Sequence, residues 1–121
     1  MDIRSYKDLT VWQKAMDLAA EIYRLVKKLP KDEMYALSNQ MRRAAVSIPS
    51  NIAEGHARKS TKEFANFLSI AQGSKAELET QVELCKKFGY ITEADTLNTI
   101  ELLSEVGKML TSLLKKLTPN P

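Results

Sequence analysis

The side chains able to do chemistry in this sequence are few, and their spacing does not favour it. There is one histidine, His56, and one cysteine, Cys85. A di-metal carboxylate centre in a helical bundle requires Glu-x-x-His pairs from two helices. His56 follows Glu54 by two positions instead of three, and there is no second histidine. A Cys–His nucleophilic pair would need Cys85 beside His56, but Cys85 falls in an apolar register, where a thiol behaves as a small hydrophobe. No Gly-x-x-x-x-Gly-Lys loop, nucleophile elbow or zinc spacing occurs. The run "EGHARKS" puts Gly55, Arg58 and Lys59 near a helix end and has the groups to hold an anion. It lies at the C-terminal, negative end of the helix dipole and reads more simply as a loop. The expectation is a non-enzymatic chain with no catalytic residue, no metal and no cofactor.

What remains is charge and close packing. The net charge is +3, unevenly spread: residues 1–62 hold 12 Lys/Arg against 7 Asp/Glu, and residues 63–121 hold 6 against 8. Three lysine pairs, Lys27–Lys28, Lys86–Lys87 and Lys115–Lys116, fall near the ends of periodic segments. The macrodipole favours cations there, which accounts for all three without a ligand. The functional reading is that Arg24, Lys27, Lys28, Lys31, Lys86 and Lys87 gather at one end of a bundle, with Arg58 and Lys59 as further candidates. Repeated around an oligomer, such modest patches would sum to a nucleic-acid surface.

Four segments with a 3–4 apolar spacing must position these residues. They cover about 10–29, 32–57, 61–88 and 92–117, with 118–121 a frayed tail. In the first, Val11, Ala15, Leu18, Ile22, Leu25 and Leu29 form one stripe and Trp12, Met16, Ala19, Tyr23 and Val26 a second. Thr10 is expected to cap its start, and Pro30 stops it. Met34, Leu37, Met41, Ala45, Ile48 and Ile52 line the second segment. Phe64, Phe67, Leu68, Ala71, Leu78, Val82 and Cys85 line the third, opened by a Ser60–Glu63 capping box and closed at Gly89. In the fourth, Thr92 is a cap candidate; Ile100, Leu103, Gly107, Leu110, Leu114 and Leu117 alternate with Leu102, Val106, Met109 and Leu113. No strand pattern competes. The expected fold is a single all-α domain over 1–121, an antiparallel up-down four-helix bundle whose second helix is kinked at Pro49.

The first and last segments carry apolar arcs of about half the wheel, where one core contact needs about 100°. The second segment has a bulky apolar side, a small apolar side of Val46, Pro49, Ala53 and Ala57, and a polar stripe of Arg43, Ser47, Ser50, Asn51, Glu54 and Arg58. Small residues opposite a core admit another helix. This makes Arg42, Arg43, Val46, Ser47, Pro49, Ser50, Asn51, Ala53 and Glu54 candidates for a subunit interface, with Arg42 or Arg43 pairing with Glu54. The plainer reading is a surface helix with an i,i+4 Glu54–Arg58 pair. Gly73, mid-helix, and Ser74 imply a further tight helix contact, and with Glu77 they complete the subunit-interface candidates.

The composition, 44% apolar and 27% charged, is that of a globular chain. No run approaches the roughly 18 apolar residues of a membrane span, residues 1–10 carry no apolar signal core, and a lone cysteine fits a reducing compartment. A cytoplasmic location with no membrane partner is expected.

The run "QMRRAAVSIPSNIAEGHARKS", followed by "FANFLSIAQGSKAELETQVELCKKFGYI", resembles the 23S rRNA intervening-sequence proteins, often called four-helix bundle proteins. "DLTVWQKAMDLA" is similar to that family's opening helix. The resemblance implies a bacterial four-helix bundle assembled as a homopentamer, sometimes encoded within rRNA genes, whose role is unestablished. It also implies kinship with accessory proteins of diversity-generating retroelements, which bind nucleic acid. Positions matching the family pattern are Trp12, Arg42, Arg43, Ser47, Pro49, Asn51, Glu54, Gly55, Gly73, Ser74 and Glu77. Gln72 and Lys75 depart from it, where relatives place an arginine and an apolar residue, so one basic group is lost. The working expectation is a homo-oligomeric scaffold touching RNA or DNA. The alternative is a protein-binding adaptor using a groove lined by Trp12 and Tyr23.

Overall fold

The computed structural model describes residues 5–118. Among these residues the regular structure is helical: α1 (Thr10–Val26), α2 (Leu37–His56), α3 (Thr61–Lys87) and α4 (Leu97–Leu117), with 3-10 turns at Tyr6–Asp8, Lys31–Glu33 and Ala94–Thr96. Residues 119–121 of the expected tail lie outside the described residues.

The helix ends show where local chemistry prevails. Ser60 accepts a hydrogen bond from the Glu63 amide at 3.1 Å, as its spacing predicts. Gly89 adopts φ +79°, and the amides of Gly89 and Tyr90 donate to the carbonyls of Lys86 and Cys85, a Schellman closure that a Cβ would strain. Thr92 and Asp95 cap each other reciprocally, amide to side chain, at 2.9 and 3.2 Å. Their turn becomes 3-10 at Ala94–Thr96, so α4 begins at Leu97, not near Thr92.

One expected cap and a second expected start are corrected. Thr10 is the first residue of α1, preceded by extended Leu9, and does not cap it; the chain enters through the Tyr6–Asp8 turn, capped by Ser5. The second helix starts at Leu37, not near Asp32. Pro30 holds an extended backbone and Lys31–Glu33 form only a 3-10 turn, which lifts Met34 out of the core into solvent. α1 likewise ends at Val26, and Leu25 and Val26 accept tighter i+3 bonds from Lys28 and Leu29 before the proline.

α1 packs on α2 and α4, and α3 on α2 and α4, closing a four-sided arrangement. The residues that meet do so in opposite numerical order. Along α2 and α3, Met41 meets Cys85, Ser47 meets Ser74, and Gly55 meets Phe67. Along α3 and α4, Gln72 meets Thr111 and Lys75 meets Gly107. Lys14 pairs with Glu105 and Lys28 with Asp95 between α1 and the α4 side. The core is the expected first stripe of α1 with Met41, Ala45, Ile48 and Ile52 of α2 and Leu68, Ala71, Leu78, Val82 and Cys85 of α3. In α4 the buried line is Thr99, Leu102, Leu103, Val106 and Leu110, between the two expected stripes, and Ile100 faces outward.

Pro49 sits inside the continuous α2 helix and is buried. Asn51 donates to the Ser47 carbonyl at 2.7 Å and lies within 2.9 Å of the Ser47 hydroxyl, so a side chain serves the backbone beside the proline.

A Cβ at Gly55 would stand 2.7 Å from the Phe67 Cβ, a side-chain stem with no freedom to swing aside. Gly55→Ala is therefore expected to lower stability by about 1–3 kcal/mol through overpacking. Gly89→Ala should lose roughly 1–2 kcal/mol through its left-handed backbone. Urea unfolding midpoints of both variants check this.

Candidate functional site

The α2–α3 seam takes up part of the expected interface. Ser47 and Ser74 hydroxyls meet at 2.8 Å, and Asn51 braces Ser47 from one turn on. These three half-buried groups join two helices of the same protomer. Pro49 points inward as well, so its side chain is not available to a partner. Glu54 pairs with Arg58 at 3.6 Å, the plainer of the two readings. Arg43 stands eleven positions from Glu54, about 16 Å along the axis, so a pair between them within one copy is excluded. Arg42 instead donates to the Met34 carbonyl at 3.3 Å. Arg43, Val46, Ser50, Glu54, Gly73 and Glu77 face outward, and Ala53 is half-buried.

Gly73 does not have the expected close neighbour within the protomer: nothing lies within 4 Å of where its Cβ would stand. The glycine at a tight crossing is Gly55, in the stretch read as a loop. It admits Phe64 and Phe67 against α2, with His56 edge-on to Phe64 at 5.8 Å and the Arg58 guanidinium 4.9 Å from the Phe67 ring centre. The signal was present, since Gly55 stands one turn past Ile52, in line with the core stripe. Gly107 is the other crowded glycine; the Lys75 side chain, paired with Glu79 at 2.9 Å, lies across it.

Next to this seam lies a surface with unsatisfied apolar area. Met16 and Tyr23 of α1, Met34 of the connection and Val46 of α2 remain 43–46% exposed along the α1–α2 side. Two clefts of about 440 and 390 Å³ indent it, both bordered by Tyr23 and Arg42. The residues lining them include Lys27, Lys31, Arg42 and Arg43 and no carboxylate. Trp12 is half-buried, with Tyr6 edge-on at 5.3 Å, so it is less open than the expected adaptor groove requires.

The basic end is assembled, but half of its cations are paired with carboxylates. Lys28 meets Asp95 at 3.3 Å, Lys86 meets Glu83 and Glu93 at 2.7 and 3.0 Å, and Arg24 is held by Glu21. Because Glu93 and Asp95 belong to one connection, Lys28 and Lys86 are brought to the same end, as the spacing predicts. Hydrogen bonds that Lys86 donates to Glu83 and Glu93 raise its pKa. The Thr92 amide, then Lys28, hold Asp95 below the usual carboxylate range. The Tyr90 hydroxyl donates to Glu33 at 2.8 Å, which ties this connection to the start of α2 and raises the tyrosine pKa. Among the described residues, Lys27, Lys31 and Lys87 of this set have no carboxylate within ion-pair distance. Arg58 and Lys59 lie at the opposite end, beside Ser60.

Distance separates Cys85 from His56, and the thiol is buried as its register predicts. Cys85 lies against the Met41 sulfur at 3.5 Å, fifteen positions along α2 from His56, about 22 Å away. Burial first, then the Glu33 charge, push the thiol up to about 11. Among the described residues no group of three His, Cys, Asp or Glu could hold a metal ion, and no helix is long and apolar enough to cross a membrane.

Comparison with known proteins follows this geometry. A family model described as 23S rRNA-intervening sequence protein matches residues 7–112. No curated protein sequence matches significantly. Among solved structures, the chain is similar to a protein of unknown function from the S23 ribosomal protein family of Bacteroides thetaiotaomicron VPI-5482. The TM-score is 0.79 at 31% identity, over 87% of this chain and 95% of that one.

Cys85 provides a pH readout. Below pH 9 the thiol is protonated folded and unfolded; between about 9 and 11 only the unfolded chain releases the proton. Stability is therefore expected to fall across that window more in the native chain than in Cys85→Ala. The native thiol should also resist a disulfide reagent at pH 8 until urea unfolds the protein.

Proposed function

The chain belongs to the 23S rRNA-intervening sequence protein family, and from that premise we propose that it is a non-enzymatic, homo-oligomeric helical scaffold that contacts RNA or DNA through weak basic sites repeated around the assembly. The α1–α2 surface carries the reading. Apolar side chains from two helices and the connection between them stay exposed, and Tyr23, Met34 and Val46 among them border the two clefts, where a solitary bundle would place charge. The family resemblance makes a pentamer the expected size, and the outward Arg43, Val46, Ser50, Glu54, Gly73 and Glu77, with the half-buried Arg42 and Ala53, are proposed as its contacts. Ser47, Asn51 and Ser74 support the assembly indirectly by locking α2 to α3.

For nucleic acid, Lys27, Lys31 and Lys87 supply cations at one end of each copy, and Lys59 at the other, next to an Arg58 shared with Glu54. A few such groups bind a polyanion weakly, and several copies in one ring raise the effective affinity without new contacts. A protein-binding adaptor is favoured by one observation, the outward Tyr23 ring bordering both clefts.

Light scattering of the native chain is expected to give a mass well above 13.6 kDa. Arg43→Ala should lower it at a given concentration. Filter binding of rRNA or single-stranded DNA should show retention that falls steeply with salt. It should weaken in a Lys27→Glu/Lys31→Glu/Lys87→Glu variant that keeps the oligomeric mass. No retention at low salt removes the nucleic-acid role; a 13.6 kDa mass with a nuclease-resistant partner supports the adaptor.

A further inference from the structure

We propose that the basic end of the bundle binds single-stranded nucleic acid in preference to duplex, its unpaired bases stacking on the open rings of Tyr35 and Phe88 while Lys27, Lys31 and Lys87 hold the phosphates. This rests on the nucleic-acid reading proposed above and names the form of polyanion that the lysine site takes.

The exposed aromatic residues are not scattered. Among the described residues three rings are exposed, Tyr23 at 46%, Tyr35 at 90% and Phe88 at 54%. All three lie at one end. Tyr23 sits in the last turn of α1, Tyr35 in the connection before α2, and Phe88 caps the C-terminus of α3. Contacts between these segments hold them together. Phe88 stands edge-on to Tyr90 at 5.7 Å. The Tyr90 hydroxyl donates at 2.8 Å to Glu33, two residues before Tyr35. The other end differs. Its rings, Phe64 and Phe67, are half-buried, and the Arg58 guanidinium lies over Phe67 at 4.9 Å.

Each exposed ring has an exposed lysine close by in the chain. Lys27 follows Tyr23 by four residues, Lys31 precedes Tyr35 by four, and Lys87 adjoins Phe88. These are the three lysines of this end that no carboxylate pairs. Tyr23, Lys27 and Lys31 also line one cleft, with Arg42. Folding does not account for the arrangement: Tyr35 is too open to contribute burial, and an unpaired lysine needs no ring beside it.

A nucleic acid strand accounts for both groups. Lysines alone attract any phosphate chain, duplex included. An open ring gains from a partner with a free π face, and every unpaired base has one, whereas a duplex keeps its base faces stacked inside. Stacking tolerates any base, so the site would read strandedness and not sequence. A flat anionic membrane fits less well. Exposed Asp32 adjoins Lys31, and Glu93, whose side chain is 78% exposed, reaches Lys86. A lipid surface would press on both carboxylates, while a strand can pass between them.

Fluorescence anisotropy of a labelled oligothymidylate strand and of a duplex of equal length, over a range of salt, tests this. The native chain is expected to bind the strand more tightly. Tyr35→Ala and Phe88→Ala should each weaken strand binding at least about fivefold, with duplex binding, salt slope and light-scattering mass unchanged. Tyr35→Trp should keep strand binding. Phe88→Leu, which retains apolar bulk against Tyr90, should lose it as Phe88→Ala does; circular dichroism checks folding. Lys27→Glu/Lys31→Glu/Lys87→Glu should instead weaken both probes and flatten the salt slope. Equal binding of strand and duplex, or strand binding indifferent to both rings, overturns the stacking site and leaves the lysine reading standing. Binding of neither probe at low salt overturns both, and ring-dependent binding of anionic phospholipid vesicles in that case assigns this end to a lipid surface.

Discussion

The close approach of α2 to α3 governs the rest of the molecule. At one end Gly55 lets the Phe64 and Phe67 side chains reach the α2 backbone. In the middle the Ser47 and Ser74 hydroxyls meet, and at the other end the sulfurs of Met41 and Cys85 touch. Three contacts along one seam leave α2 no freedom to rotate. That orientation turns Pro49 inward, where its ring is buried. It also turns Arg42, Arg43 and Val46 outward, beside Tyr23 and Met16. The surface most suited to a partner is thus a consequence of a contact made elsewhere.

The same packing explains the weak electrostatic signature. Cations favoured at helix C-termini by the macrodipole meet the acidic residues that favour the neighbouring N-termini, because the ends of adjoining helices are brought together. Lys28 finds Asp95 and Lys86 finds Glu93 for this reason. A linear count of lysines overstates the field available to a polyanion, since much of it is spent in short exposed pairs that contribute little to stability. What survives is a thin scatter of unpaired cations, which only repetition over several copies would make effective.

Much was legible in the linear chain, and the reasons are local. The 3–4 spacing of Val11, Ala15, Leu18 and Ile22, or of Met41, Ala45, Ile48 and Ile52, states which side of a helix seeks the core, whatever it packs against. Ser60 with Glu63, and Gly89, mark helix ends through bonds made within a few residues. The seam between Ser47 and Ser74 was less legible. Both residues stood out as interface material, and both were assigned outward, because a hydroxyl on a helix does not say whether the group it meets belongs to the same copy.

The sequence by itself determined four amphipathic helices, most of their ends, the core side of α1, α2 and α3, the inert burial of Cys85 and the family, all through periodicity, capping and short-range motif. Only the tertiary structure decided that Gly55 and not Gly73 lies at the tight crossing, that α4 buries the line between its two stripes, that Pro49 faces inward, and that Glu54 pairs with Arg58. Each depends on which neighbour occupies a given side and how near its backbone comes. That distance is set by the joint packing of four helices and by no segment of the chain alone.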